Sequence, residues 1–292
     1  TLARSLLLTQ RDPGAVRLHL LHPPDLDPVD LHRLEAMVTD LGGSLVTHAV
    51  EDPRLADLPA AGRITEVMWF RILLPDLLPD TGRVLYLDCD IVATDDLAPL
   101  FDLDLGGRAV AAVHNVPYGG ADDLGRLGLD PAHRYFNSGV LLLDLDRWRE
   151  REVTDRLVAF ATAAAERLVH PDQDALNAVL GDDRAVLDPR WNCQNTVFHS
   201  PVAAEVFGAA TVRAACEAPA LVHFEGPSLA KPWHYLSTHP YRDVYLRHRA
   251  ATPWPHEAIE GRTLTNRILR HLPRRVMLRA LAASERRRAE AA

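Results

Sequence analysis

An α/β fold with a mainly parallel sheet, covered by helices on both faces, is what this sequence predicts. Short, almost wholly apolar runs such as Ala109–Val113 and Val140–Leu145 recur along the chain and have strand length. Segments of helical spacing separate them, the order that builds parallel sheets through crossover connections. Of the 292 residues, 47% are hydrophobic, enough to cover both faces of such a sheet in one large domain.

In chain order, Val16–Leu21 reads as the first strand, followed by a helix through Leu31, Leu34, Met37, Val38 and Leu41. Ser44–Val50 is a second strand. Ile64–Leu78 has helical spacing and stops near Pro75 and Pro79, which oppose its continuation. Arg83–Leu87 is a short buried strand, followed by the runs Ala109–Val113 and Val140–Leu145. Helices over about 146–168 and 173–180 come next, then strands near Ala185–Leu187 and Leu221–Phe224. The body reads as one domain, residues 1–250, with residues 251–292 as a tail.

Composition excludes several classes. No apolar stretch reaches membrane-spanning length and no charged-then-apolar leader opens the chain. Three scattered cysteines, Cys89, Cys193 and Cys216, indicate neither a disulfide framework nor a zinc knuckle, so a reducing, cytoplasmic setting is expected. Residues 262–292 hold nine arginines against Glu285 and Glu290, which leaves the rest of the chain at −15 when the whole carries −8. An acidic body argues against a nucleic-acid partner. The basic tail, with Ile268, Leu269, Leu272 and Val276 interleaved, suits peripheral contact with an anionic membrane face; a solvated helix docked on the domain is the alternative.

The chemistry concentrates at Asp88-Cys89-Asp90, directly after Val84-Leu85-Tyr86-Leu87. Two carboxylates one residue apart at the mouth of a buried strand require a cation, a proton or hydrogen-bond donors. A hard divalent ion carrying a phosphate meets that need, and oxygen ligands suit Mg2+ or Mn2+. A solvated acidic turn is the plain alternative. Four further segments are chemically loaded. Arg71, in Trp69-Phe70-Arg71-Ile72, interrupts an apolar helical face and needs a carboxylate or a phosphate. Asn137, in Tyr135-Phe136-Asn137-Ser138-Gly139-Val140, can both donate to and accept from a hydroxyl. Asp172-Gln173-Asp174 place three polar groups in one first helical turn, with Asp172 resembling an N-cap. His223 ends a strand and could complete a metal shell, with Gly226, Lys231, Pro232 and Trp233 beyond it.

Together and in this order, these segments resemble the retaining glycosyltransferases of family 8, which include bacterial lipopolysaccharide galactosyl- and glucosyltransferases and glycogenin. The resemblance runs from about Leu2 to Trp233. It implies a GT-A, Rossmann-like fold and transfer of a hexose, glucose or galactose, from a UDP-sugar to a glycan or lipid-linked acceptor. It implies Mn2+ (or Mg2+) held by Asp88, Asp90 and His223 across the donor diphosphate, with Gly226 and Lys231 at the phosphates and Arg71 on the donor. Asn137, Asp172 and Gln173 would hold or face the transferred sugar, Asp172 and Gln173 being the candidate catalytic groups. Asn115 stands where the family often places an Asp near the sugar.

The chain departs from the family pattern twice. It opens at Thr1 with the helix-like Leu2-Ala3-Arg4-Ser5-Leu6-Leu7-Leu8, after the point where the family's first strand and base-binding loop occur; that half is expected to be absent or encoded upstream. Four residues, not two, separate Gly226 from Lys231. Two other readings compete. An aspartyl-phosphate phosphatase also ends a strand with Asp-x-Asp, but it has Thr where Val92 stands. A degenerate nucleotide-sugar binder without activity is the non-enzymatic reading.

Overall fold

The computed structural model describes residues 1–59, 66–117, 124–130, 134–272 and 276–277. Its strands are β1 (Arg17–His22), β2 (Ser44–Ala49), β3 (Arg83–Leu87), β4 (Ile91–Ala93), β5 (Val110–His114), β6 (Phe136–Asp144), β7 (Arg184–Val186), β8 (Cys193–Gln194) and β9 (Leu221–His223). They form three sheets, in the orders β1-β2, β3-β6-β5-β7 and β4-β9-β8. The chain divides into two compact units, 1–223 and 224–292.

The α/β layering is as expected, but strand direction is mixed. β6 runs antiparallel to both β3 and β5, whereas β7 is parallel to β5 and β1 to β2. A strand buried on both faces gives a continuous apolar run whichever way it points, so the pattern shows burial and not direction. β6 is that strand, buried from Phe136 to Leu143. Its side chains alternate between two cores. Leu141 and Leu143 join Trp69, Ile72, Trp148, Leu157 and Leu176. Val140 and Leu142 face the other way, with Ile91, Ala111, Val113 and Leu221. β3 lies at the sheet's edge and is half-buried along all five residues.

Two helices differ from expectation. The segment read as a helix over Ile64–Leu78 is a 3-10 helix, Glu66–Leu73, followed by one α-turn, Leu74–Leu77; Ile64 lies outside the described residues. The helix read over 146–168 is broken into Leu145–Glu150, Val153–Ala163 and a 3-10 turn, Ala165–Arg167. Glu152, with φ of 51°, makes the first break and brings both Trp148 and Val153 into the core. Neither Gly nor Pro announces it. The N-terminal helix, Leu2–Thr9, docks on β4, where the Ala93 N–H donates to Ser5 Oγ at 3.0 Å.

Helix Pro171–Leu180 is fastened to the strand that carries the core. Asn177, fully buried, accepts from the Phe136 N–H (2.7 Å) and donates to its carbonyl (2.9 Å). Asp174, also fully buried, accepts from Arg126 through both oxygens (2.7 Å each), from Tyr135 Oη (2.6 Å) and from the N–H groups of Val169 and His170. Burial alone would raise the Asp174 pKa, but the hydrogen bonds from Arg126, Tyr135, His170 and Val169 outweigh it and hold the group below its usual value. The unfolded chain therefore binds this proton more readily. The stabilisation is complete above the ordinary carboxylate range and is lost as pH falls below about 4. Asp174→Ala, which takes the carboxylate from a half-buried guanidinium and a buried phenol, is expected to lower unfolding free energy by about 3 kcal/mol in denaturant titration at neutral pH. The difference from wild type should shrink in acid.

In the second unit, Phe224 meets His239 and Tyr245 edge-on at 4.6 and 5.6 Å, the latter from helix Arg242–Ala250. No helix among the described residues is long and apolar enough to cross a membrane. Much of the loop Val116–His133, and the basic tail beyond residue 272 except 276–277, lie outside the described residues.

Candidate active site

Register explains why the Asp pair and a distant histidine meet. β3 ends at Leu87, and the Asp88 N–H donates to the Gly139 carbonyl at 2.8 Å, so Asp88 stays locked to β6. The chain turns through Cys89 and Asp90 into β4, whose first residue, Ile91, is the antiparallel partner of His223. Asp90 therefore emerges beside the imidazole. His223 Nε2 lies 3.2 Å from Asp90 Oδ1 and 3.8 Å from Asp88 Oδ2, and one ligand atom from each of the three residues falls within 4.8 Å of the others. Two carboxylate oxygens and an imidazole nitrogen form a donor set that fits a divalent ion such as Mn2+.

Asp88 is bound on its other side. Its Oδ1 accepts from Tyr86 Oη at 2.8 Å and from Arg71 Nη2 at 3.0 Å. Arg71 is buried over the Tyr86 ring, 4.2 Å from its centroid, and also reaches Asp172 Oδ2 at 3.3 Å. Its remaining donors go to the carbonyls of Ser138 (2.7 Å) and Met68 (3.1 Å). The anion that the sequence demanded for Arg71 is thus a pair of carboxylates. Burial disfavours the Arg71 cation, but Tyr86, Asp88 and Asp172 outweigh burial and raise its pKa. For Asp172 burial dominates and raises the pKa, with Arg71 opposing.

The three polar residues of one turn separate in space. Helix Pro171–Leu180 has His170 at its N-cap, so Asp172 lies inside the first turn instead of capping it; Pro171 takes the first helical position. From there Asp172 faces Arg71. Gln173 Oε1 accepts from the Ser138 N–H (2.9 Å), and its Nε2 donates to Tyr135 Oη (3.3 Å). Both ends of this amide hold the strand in place. Asp174 points to Arg126, as described above.

Asn137 Oδ1 accepts from the Gly139 N–H (3.0 Å) and from Asn192 Nδ2 (2.8 Å), so Nδ2 is the end of this amide left to face a ligand. Asn115 follows β5, its N–H donating to the Tyr135 carbonyl at 2.9 Å, at the same strand ends. Gly226 and Lys231 belong to the second unit. There Gly226 has φ of 93°, a conformation that favours glycine, and Lys231 Nζ lies 5.9 Å from the Trp233 ring centroid.

Three contributors escaped the sequence reading: Tyr86, Asn192 and Gly139. A Cβ at Gly139 would fall 2.2 Å from His223 Cε1 and 2.9 Å from Asp88 Oδ2, so the imidazole packs against bare backbone. Only the small residue between Ser138 and Val140 signalled this close approach.

A mixed sheet clad in helices, with an Asp-x-Asp turn at a strand end, is the GT-A fold of glycosyltransferases. Galactosyltransferase LgtC, solved in complex with donor and acceptor sugar analogs, has the same fold. Its TM-score is 0.71 at 23% identity, over 86% of this chain and 92% of that one. The chain belongs to glycosyl transferase family 8, which it matches over residues 1–237, and is therefore a glycosyltransferase. General stress protein A of Bacillus subtilis is 32% identical over 86% of this chain and 87% of its own. The lipopolysaccharide 1,3-galactosyltransferase of Salmonella typhimurium is 28% identical over 80% and 68%.

Proposed function

We propose that this glycosyltransferase is a retaining, Mn2+-dependent hexosyltransferase that moves glucose or galactose from a UDP-sugar to a glycan or lipid-linked acceptor. The observation that carries the reading is the convergence of Asp88, Asp90 and His223 beside the Arg71–Asp172 pair. The name of the Salmonella relative supports a hexose donor and a lipopolysaccharide-type acceptor. Residues 1–250 form the catalytic domain in this reading. The basic segment 251–292 rests on the cytoplasmic face of an anionic membrane, a placement supported by its charge and apolar spacing.

Asp88, Asp90 and His223 would hold the ion, which when bound would supply positive charge to the departing diphosphate. Lys231 and the Gly226 backbone, both in the second unit, are proposed as further phosphate donors. Asp172, fixed by Arg71, faces the positive charge that develops on the sugar ring. Asn137 Nδ2 and Asn115 orient sugar hydroxyls. Gln173, with both amide ends engaged, acts through Ser138 and makes a poor nucleophile. Retention then follows from front-face transfer. The bond from the anomeric carbon to the phosphate oxygen breaks, and the acceptor oxygen bonds to the same face. The acceptor's proton passes to the departing phosphate oxygen.

Hydrolysis of UDP-glucose, UDP-galactose and their N-acetyl forms, with and without Mn2+, tests the proposal. One of the two plain hexose donors should be turned over in a Mn2+-stimulated reaction that chelator stops. Phosphate release from simple esters would favour the phosphatase reading, and UDP binding without turnover the degenerate binder; either result overturns the proposal.

A further inference from the structure

We propose that Asn192 is a positioning residue that fixes which nitrogen of His223 carries the proton, and so presents Nε2 to the aspartates as a bare lone pair. The inference rests on the metal-site reading and adds a residue to it.

The argument begins from a group whose polarity is certain. A backbone N–H can only donate. The Gly139 N–H meets Asn137 at 3.0 Å, so the Asn137 atom there is the carbonyl oxygen. Asn192 meets that same oxygen at 2.8 Å, and a group meeting an acceptor must donate, so Asn192 contributes its NH2. The Asn192 oxygen then faces the other way, toward His223 Nδ1 at 3.0 Å. An amide oxygen only accepts, so Nδ1 carries a hydrogen. Polarity set by one peptide group thus passes through two amides to an imidazole. The orientation of each amide follows from its neighbour.

Burial makes the relay rigid. Asn192, Asn137 and His223 are 0%, 6% and 2% exposed, so reversing either amide would set two acceptors or two donors against each other out of reach of water. Backbone register supports the geometry. β8 runs parallel to β9 with Gln194 opposite His223, and Asn192 immediately precedes β8. With Nδ1 committed as a donor in either charge state, the neutral ring turns the acceptor nitrogen Nε2 toward Asp90 and Asp88, where a metal ion or a shared proton can bridge them.

Two measurements on the full chain test this. The first needs no metal and no variant. With the ring neutral, the 15N shifts of His223 should report hydrogen on Nδ1 and none on Nε2. The signal is assigned by its loss in His223→Gln. A neutral ring protonated on Nε2 would overturn the inference even where metal binding is intact. The second is Mn2+ affinity in the presence of UDP, by the electron-paramagnetic signal of the free ion. Asn192→Leu, which keeps volume but removes the acceptor, should weaken Mn2+ binding roughly 10–100-fold, as expected for loss of a ligand's hydrogen-bond partner. Asn192→Asp, which keeps an oxygen on Nδ1, should retain affinity within a few-fold. Unchanged affinity in a folded Asn192→Leu protein overturns the relay and leaves the metal site standing. Wild type that binds no Mn2+ overturns the metal-site reading and its coupling to Asn192, while the 15N shifts still decide the tautomer.

Discussion

Asp90→Asn is expected to lower the metal-stimulated transfer rate by roughly 10²–10³-fold, the cost typical of removing one preorganised charge partner from a reacting site. The carboxamide keeps the volume and one oxygen but removes the charge that faces His223 Nε2 at 3.2 Å. The loss should appear first as a higher Mn2+ requirement in a metal titration of donor hydrolysis, and only partial rescue is expected at saturating ion. Asp88→Asn should be the more damaging change. Asp88 also accepts from Tyr86 and Arg71, so its neutralisation leaves a buried guanidinium with Asp172 as its one remaining carboxylate partner. That variant should melt at a lower temperature as well, whereas Asp90→Asn should not. Unchanged rates in either variant at limiting metal would remove that residue from the ion's shell.

Gly139→Ala should disable the site through a single methyl group. The new carbon would lie 2.2 Å from His223 Cε1, and β6 cannot retreat. It is pinned by β3 on one side, with Leu87 opposite Val140 and the Asp88 N–H on the Gly139 carbonyl. On the other side β5 holds it at Leu141–Leu143 and again at Phe136, on either flank of the glycine. The imidazole must move, and a moved imidazole loses both Asn192 and Asp90. The expected result is loss of measurable Mn2+ binding together with about 1–3 kcal/mol of destabilisation, typical of overpacking a dense interior. Thermal melts and metal titration check the two parts separately. Retained Mn2+ affinity would show that the strand yields instead of the histidine.

The parts of the site legible in the sequence are those announced by residue type at a strand end. Asp88, Asp90 and His223 each follow an apolar run, and charge out of place is visible without coordinates. Arg71 was legible as a cation in need of an anion, though the spacing could not tell a carboxylate from a phosphate. What stayed hidden depends on register. Asn192 carried no signal in the sequence, and its role exists only because β8 runs alongside β9. Beyond its small size, Gly139 gave no sign of its role because the imidazole that packs against it comes from a strand of another sheet, 84 positions away in the chain. In Asp172-Gln173-Asp174 the crowding was plain, yet only the helix's rotation shows that the first faces Arg71, the second Ser138 and the third Arg126. The direction of β6 was hidden for a different reason: burial on both faces erases the alternation that distinguishes strand environments.

The strand that delivers the acidic pair is also the outer margin of its sheet, bonded to β6 along one side and half-covered from Arg83 to Leu87. Such margins invite extended segments of other molecules to line up against them, and proteins usually discourage this with lysines, prolines or bulges. Those remedies fit poorly here. A lysine near Leu87 would bring positive charge beside Asp88, and a proline would bend the rail that aims it. Solubility and catalysis therefore place opposing demands on the same five residues, and efforts to improve the protein's handling are better directed elsewhere on its surface.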